Sequence, residues 1–356
     1  MQTKTVLIAD TAAQAAELTA AGDILRSGGL VAFPTETVYG LGANGLDAEA
    51  AAGIYAAKGR PSDNPLILHI ADRSMLDTIA AEVPEMAEKL LAAFCPGPIT
   101  LIMKRTAAVP LSITGGLDTV GIRMPDNDIA RALIRSAGVP VAAPSANISG
   151  RPSPTTAASV YRDMQGRIPL ILDGGLCRFG VESTIVDCTG PVATVLRPGA
   201  ITMEMLREVL GEVRLDPALV GAGTVPKAPG MKYTHYAPKA PLTLMEGRPE
   251  KMAPALRREL RRLQAEGHTV GVIASREAAA QLTDLLPAEL CYVYGGQGDL
   301  RAIAASLYEA LRSFDRKPAD VLLAEGTTET GLGLAIMNRL HKASGFRSIH
   351  TTEALS

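Results

Sequence analysis

The chain has 356 residues, long for one core and sufficient for two, and 47% of them are apolar, so both cores can be buried. Lysine plus arginine (35) nearly balances aspartate plus glutamate (37) without a block of like charge, so no strong direct nucleic-acid binding is expected. Cys95, Cys177, Cys188 and Cys291 form no Cys-x-x-Cys pair, which argues against a zinc site and a disulfide framework. With no secretory signal and no apolar run of membrane-spanning length, a soluble cytoplasmic protein is expected.

A strand is predicted over residues 5–9, a helix over 12–27 stopped at Gly28-Gly29, and a second strand over 30–33. The loop that follows, Pro34-Thr-Glu-Thr-Val-Tyr-Gly-Leu-Gly42, carries three hydroxyls and a carboxylate. Loops leaving strand ends are where α/β folds place binding groups, although the same residues suit a turn that satisfies only its own backbone. A helix over 48–57 then leads into Lys58-Gly-Arg-Pro-Ser-Asp-Asn-Pro-Leu-Ile-Leu-His69, with a buried strand over 66–70. Pro61 and Pro65 stiffen the loop that presents Lys58 and Arg60, which suits an anion; a helix C-terminus also favours cations.

Further on, a helix over 74–94 and a strand over 99–104 precede Arg123, which lies in an apolar strand over 120–124 and needs an anionic partner, structural or ligand. A helix over 128–136 and a strand over 139–143 run into the polar loop 144–154, where Ser145, Asn147, Ser149 and Ser153 can clamp a phosphate, a ribose or an amino-acid backbone. A third loop, 173–184, brings Ser183 and Thr184 to a strand over 185–187, and a final strand over 192–196 closes on Arg197. No glycine pattern matches a Walker or dinucleotide fingerprint, and there is no Gly-x-Ser-x-Gly elbow or His-Glu-x-x-His helix.

After a helix over 202–210, the Gly/Pro-rich stretch 216–241 reads as a linker, and its Lys232, Tyr233, His235 and Tyr236 suit a segment that packs over something. Strands over 242–245, 269–274, 290–294 and 321–324 then alternate with helices over 253–265, 277–286, 300–314 and 334–342, the pattern of a small parallel, doubly wound sheet. Gly295-Gly-Gln-Gly298 suits a capping loop or an anion site, and no chemistry is assigned to this second domain.

Phe33-Pro-Thr-Glu-Thr-Val-Tyr-Gly-Leu-Gly42, Lys58-x-Arg60-Pro-x-x-Asn64-Pro-Leu, Pro144-Ser145-Ala-Asn147 and Phe179-Gly-Val-Glu-Ser-Thr184, in this order and spacing, resemble the YrdC-like threonylcarbamoyl-AMP synthase family. The second half, with Gly331-Leu-Gly-Leu-Ala-Ile-Met-Asn-Arg339, resembles the two-domain form of that family. The resemblance implies an α/β protein: a twisted mixed-sheet N-terminal domain with a deep, positively charged concave face (1–213), a linker lying over the active site (214–240) and a smaller Rossmann-like parallel C-terminal domain (241–356).

It also implies a nucleotidyltransferase that makes threonylcarbamoyl-AMP from L-threonine, bicarbonate or CO2, and ATP, releasing pyrophosphate. The product would serve threonylcarbamoyladenosine modification of tRNA through a downstream tRNA threonylcarbamoyl transferase machinery. By the same resemblance Lys58 and Arg60 are catalytic and bind the nucleotide together with Asn64, Thr119, Ser145, Asn147, Ser153, Arg197 and Tyr236. Thr35, His69, Arg123 and Ser183 surround L-threonine, with His69 in an acid–base role, a binding role or simply a core position. Mg2+ is expected to travel with ATP, without a protein metal site, and Tyr236 with His235 to close the site from the linker. Two other readings are an RNA-binding translation-associated factor with the same fold and no catalysis, and the carbamoyl-adenylate chemistry of hydrogenase maturation proteins, which are longer and carry Cys-x-x-Cys motifs absent here.

Overall fold

A computed structural model describes residues 1–219 and 236–351, so most of the expected linker, His235 included, lies outside the described residues. The described chain forms two units, 1–149 with 153–219 and 150–152 with 236–351. No described helix is long and apolar enough to cross a membrane.

The first unit holds an eleven-stranded sheet of β1 (Lys4–Leu7), β2 (Val31–Phe33), β3 (Gly40–Asn44), β4 (Ile67–His69), β5 (Ile99–Lys104), β6 (Thr119–Arg123), β7 (Val141–Ala142), β8 (Leu170–Asp173), β9 (Thr184–Asp187), β10 (Ala193–Arg197) and β11 (Val213–Leu215), in the order β1-β8-β2-β3-β7-β4-β6-β5-β9-β10-β11. It is mixed: β1 and β2 run parallel to β8, β4 to β6, and β5 to β9, while β2–β3, β3–β7, β4–β7, β5–β6 and β9–β10 are antiparallel. Successive strand residues feed two different cores. Val31 and Phe33 join Leu25, Leu133 and Leu172, whereas Ala32 joins Leu41, Ile54 and Leu68, as the period-two alternation of side chains requires. The helices Ala15–Arg26 and Asp128–Ala137 cover the first of these cores, and Gly22 sets their approach: a Cβ there would stand 2.7 Å from the Ser136 carbonyl carbon.

Several expected boundaries change. The loop after β2 ends at Tyr39, because Gly40–Asn44 is a strand; its glycines hide the strand pattern yet are required, since a Cβ at Gly42 would meet Val141 Cγ1 at 2.8 Å. The single helix expected over 74–94 is a 3-10 turn, Arg73–Met75, a short helix, Leu76–Ile79, and a second helix, Glu85–Phe94, for which Pro84 is the N-cap. β8 and the helix Ala157–Met164 were not anticipated, and β10 is not the last strand, since β11 pairs with it and carries the sheet to Leu215.

The second unit is an all-parallel five-stranded sheet of β12 (Leu242–Glu246), β13 (Val270–Ser275), β14 (Cys291–Gly295), β15 (Val321–Glu325) and β16 (Ser348–His350), in the order β14-β13-β15-β12-β16. The expected alternation holds, with an added edge strand, β16, and with the helix expected over 277–286 reduced to Arg276–Ala279.

Candidate active site

The helix Ala48–Lys58 starts at Asp47, whose side chain accepts from Glu49 N and Ala50 N, and stops at Gly59 in the left-handed conformation (φ 61°). Lys58 is therefore the last helical residue rather than a loop residue, and it is buried, 1% exposed. Its ammonium donates to the backbone carbonyls of Ser145 and, at 2.6 Å, Asn147. Ser149 N donates back to Lys58 O at 2.9 Å, so the cation and the Ser-x-Asn loop hold each other. Ser145 Oγ donates to Asn147 Oδ1, and Asn147 Nδ2 to Ile148 O at 2.8 Å. Arg60 is buried beside them and folds back on its own loop, Nη2 to Pro65 O at 3.0 Å and Nε to Asn64 O at 3.4 Å. Asn64 Nδ2 is buried without a hydrogen-bond partner among the described residues.

The 34–39 loop is tied to both other polar loops by backbone bonds: Phe179 N to Glu36 O, Gly180 N to Thr37 O, and Ala146 N to Tyr39 O. Thr35 Oγ1 accepts from Thr37 N and Val38 N and gives its proton to Val38 O at 2.6 Å, so the 2.9 Å contact with Thr37 Oγ1 is donated by Thr37. Thr35 thus builds the turn that carries Glu36. Arg123 finds its anion there: Nη2 lies 2.8 Å from Glu36 Oε2, both side chains nearly fully buried. The approach is off the N–H axis, and among the described residues Glu36 Oε1 and Oε2 and Arg123 Nε and Nη2 have no hydrogen-bond partner. The pair is a charge contact with hydrogen-bonding capacity in reserve.

His69 pairs in register with Arg123 at the ends of β4 and β6. Its ring meets Phe33 edge-on at 6.1 Å, and Nδ1 lies 3.2 Å from Ile67 O. Complete burial, with the Arg123 charge adding to it, lowers the His69 pKa to about 3. Cys95 is held up near 11, mainly by burial. At the entrance to β9, Ser183 Oγ lies 2.7 Å from Thr100 Oγ1 and accepts from Arg197 Nη2 at 3.1 Å, while Arg197 Nε donates to Ser183 O. Ser153 Oγ donates to Glu182 Oε1 at 2.7 Å. Thr119 opens β6 and is half-buried. Tyr236 belongs to the second unit, where it stacks on Tyr308 at 5.1 Å with the Arg339 guanidinium 5.9 Å from its ring.

Among the described residues of the first unit, four buried cations, Lys58, Arg60, Arg123 and Arg197, stand against three buried carboxylates, Glu36, Asp163 and Glu182. The excess positive charge, ringed by hydroxyls, suits a substrate with anionic groups. Glu36, Glu182 and Thr100 were not named as site residues from the sequence. Glu36 and Glu182 lie inside the quoted motifs, and a buried cation such as Arg123 was the signal that an acid must sit nearby.

Fold and site together define a two-unit α/β protein whose first unit carries buried cations on the polar loops of a mixed sheet. A family model for Sua5, YciO and YrdC proteins, described as "Telomere recombination", matches residues 23–199, and one described as "Threonylcarbamoyl-AMP synthase, C-terminal domain" matches residues 201–345. The threonylcarbamoyl-AMP synthase of Pyrococcus abyssi is 50% identical over 331 residues, 92% of this chain and 94% of that one. That of Bacillus subtilis is 48% identical, covering 94% of each. The crystal structure of P. abyssi Sua5 complexed with L-threonine is 46% identical with a TM-score of 0.91, covering 98% of this chain and 99% of that one. The chain belongs to the two-domain threonylcarbamoyl-AMP synthase family.

Proposed function

We propose that this chain joins L-threonine, bicarbonate-derived CO2 and ATP to give threonylcarbamoyl-AMP and pyrophosphate. The observation that carries the reading is the buried excess of cations on hydroxyl-bearing loops in a chain that aligns over 92% of its length with a synthase of that name. The threonine ammonium loses a proton to solvent and the free amine takes up CO2 as a carbamate, releasing a second proton to solvent; a carbamate oxygen forms a bond to the α-phosphorus, the α–β bridging bond breaks, and pyrophosphate leaves. Nucleophile and target are both anionic, so holding them in line amid fixed positive charge is the main catalytic demand.

In this reading Lys58 fixes the 145–147 loop under the nucleotide, and Arg60, Arg197, Asn64, Ser145, Asn147, Ser153 and Thr119 receive phosphate and ribose oxygens. Asn64 Nδ2, buried with no hydrogen-bond partner among the described residues, has a donor to give. The Glu36–Arg123 pair suits a zwitterionic amino acid, whose ammonium and carboxylate match the two charges whose hydrogen bonds are unfilled. Thr35 and Ser183 shape the surrounding wall. His69, neutral at physiological pH and bonded to a main-chain carbonyl, serves binding rather than proton transfer. Mg2+ would arrive with the triphosphate and supply neutralisation of its charge; the cations and hydroxyls of the loops would leave such a metal to phosphate and water. The adenylate would pass to a tRNA threonylcarbamoyl transferase machinery in the cytoplasm.

Incubating the purified chain with ATP, L-threonine and 13C-bicarbonate tests this directly. A product of adenylate mass bearing the heavy carbon is expected, and its absence under conditions where ATP still binds would refute the assignment.

A further inference from the structure

The second unit contains a cluster that the adenylation chemistry does not use. We propose that Glu246, Glu329 and His341 form a divalent-cation site of the zinc, cobalt or manganese type, with His350 as the residue that orients Glu246. His341 Nε2 lies 3.4 Å from Glu246 Oε2 and 4.0 Å from Glu329 Oε1, and one ligand atom from each of the three falls within 4.8 Å of the others. Ligands about 2.1 Å from a tetrahedral ion stand roughly 3.4 Å apart, so the three donors need only small rotations to share one ion. His350 Nε2 lies 3.8 Å from the other oxygen, Glu246 Oε1, the arrangement in which an outer imidazole holds a ligating carboxylate. The His341 ring is steadied by Phe346, stacked at 6.1 Å and 17°.

The topology gives an independent reason for a ligand here. In the order β14-β13-β15-β12-β16, β12 and β15 are neighbours. After β12 the chain enters the helix Pro249–Ala265, which covers β12, β13 and β15 and shares their core, whereas after β15 it enters the helix Leu332–Ala343, which packs on β12 and the helix Leu300–Ser313 and contributes nothing to that core. The two exits leave toward opposite faces, so the crevice at their carboxyl ends is the switch point at which open parallel sheets bind ligands. Glu246 is the last residue of β12, and Glu329 lies in the loop leaving β15.

A carboxylate that is 10% exposed and faces two imidazoles suits a cation site: a bound metal would take Glu246 Oε2 and His341 Nε2, leaving Oε1 to His350. An imidazole among the ligands favours zinc, cobalt or manganese over magnesium, and three protein ligands leave a position open to water or a small anion. The site stands apart from the adenylation reading, and its test does not use that activity.

The experiment is equilibrium titration of chelator-treated full-length chain with Co2+ and Zn2+, read by the visible Co2+ spectrum and by calorimetry. One equivalent is expected to bind, with a ligand-field band that Zn2+ displaces and a rise in melting temperature. Glu246→Gln and His341→Gln should each remove that equivalent, and His350→Gln should weaken it ten- to hundredfold. His341 is one-quarter exposed, so its substitution remains informative if Glu246→Gln fails to fold. No stoichiometric binding by the wild type, or full binding by a folded His341→Gln variant, would overturn the proposal.

Discussion

Arg123 and Glu36 show how a site residue acquires a structural duty. Removing one partner leaves the other as an uncompensated buried charge, so Arg123→Met should cost about 3–5 kcal/mol of stability, whereas Arg123→Met with Glu36→Gln should recover most of it. Urea denaturation reads the recovery, and if the pair also receives threonine, the recovered double variant still lacks threonine-dependent turnover. Arg60 donates to the main-chain carbonyls of Asn64 and Pro65 in its own loop. Arg60→Ala should therefore fold while losing about 1.5–3 kcal/mol of transition-state stabilisation, roughly ten- to hundredfold in kcat/KM for ATP; a near-normal value would remove it from the site. His69 carries a pH signature. Its folded pKa, about 3, lies below the ordinary histidine value of 6.5, so the unfolded chain takes up the proton first and stability is lost as pH falls from about 6.5 toward 3. The rate profile should then lack a His69 limb between pH 6 and 8, and its appearance there, abolished by His69→Asn, would restore the acid–base role.

At the level of elements, the three polar loops keep their positions because strands on either side of them are pinned by close packing. β3 is the clearest case: Gly42 lets Val141 and Phe33 close over the strand, and a Cβ would stand 2.8 and 2.9 Å from them. Gly42→Ala should cost about 1–3 kcal/mol by overpacking, visible as a lower denaturation midpoint at unchanged slope. The same glycines explain why β3 was read as loop, since they carry neither alternation nor β-branched residues. The buried runs of β4 and β5 and the helix expected over 48–57 were legible, because apolar runs and helix periodicity act locally, whereas the cap at Gly59 that keeps Lys58 in the helix was not read. Thr35, Arg123 and Ser183 were legible as candidate site residues through motif order, whereas the pairing of Glu36 with Arg123 is made by β6 and a loop far away in sequence, which no local pattern encodes. The cation cluster of the second unit was hidden for the same reason: Glu246, Glu329, His341 and His350 have no recognisable spacing.

For the whole molecule, each unit owns its core: Leu41, Ile54, Leu68 and Met103 belong to one, and Leu256, Leu260, Val272 and Leu323 to the other. A chain ending at Leu219 keeps the whole first sheet and should unfold in one cooperative transition; a non-cooperative melt would show that the first unit depends on the second. Whether such a chain works at full rate separates the four-cation site from whatever Tyr236 and the residues before it add, and a reduced rate is expected. The most direct measurement is pyrophosphate release from MgATP by the intact chain with L-threonine and bicarbonate omitted in turn. Release that requires both, with serine a poor replacement, is the predicted result. Release indifferent to threonine, or none from a chain that binds ATP, would contradict the account.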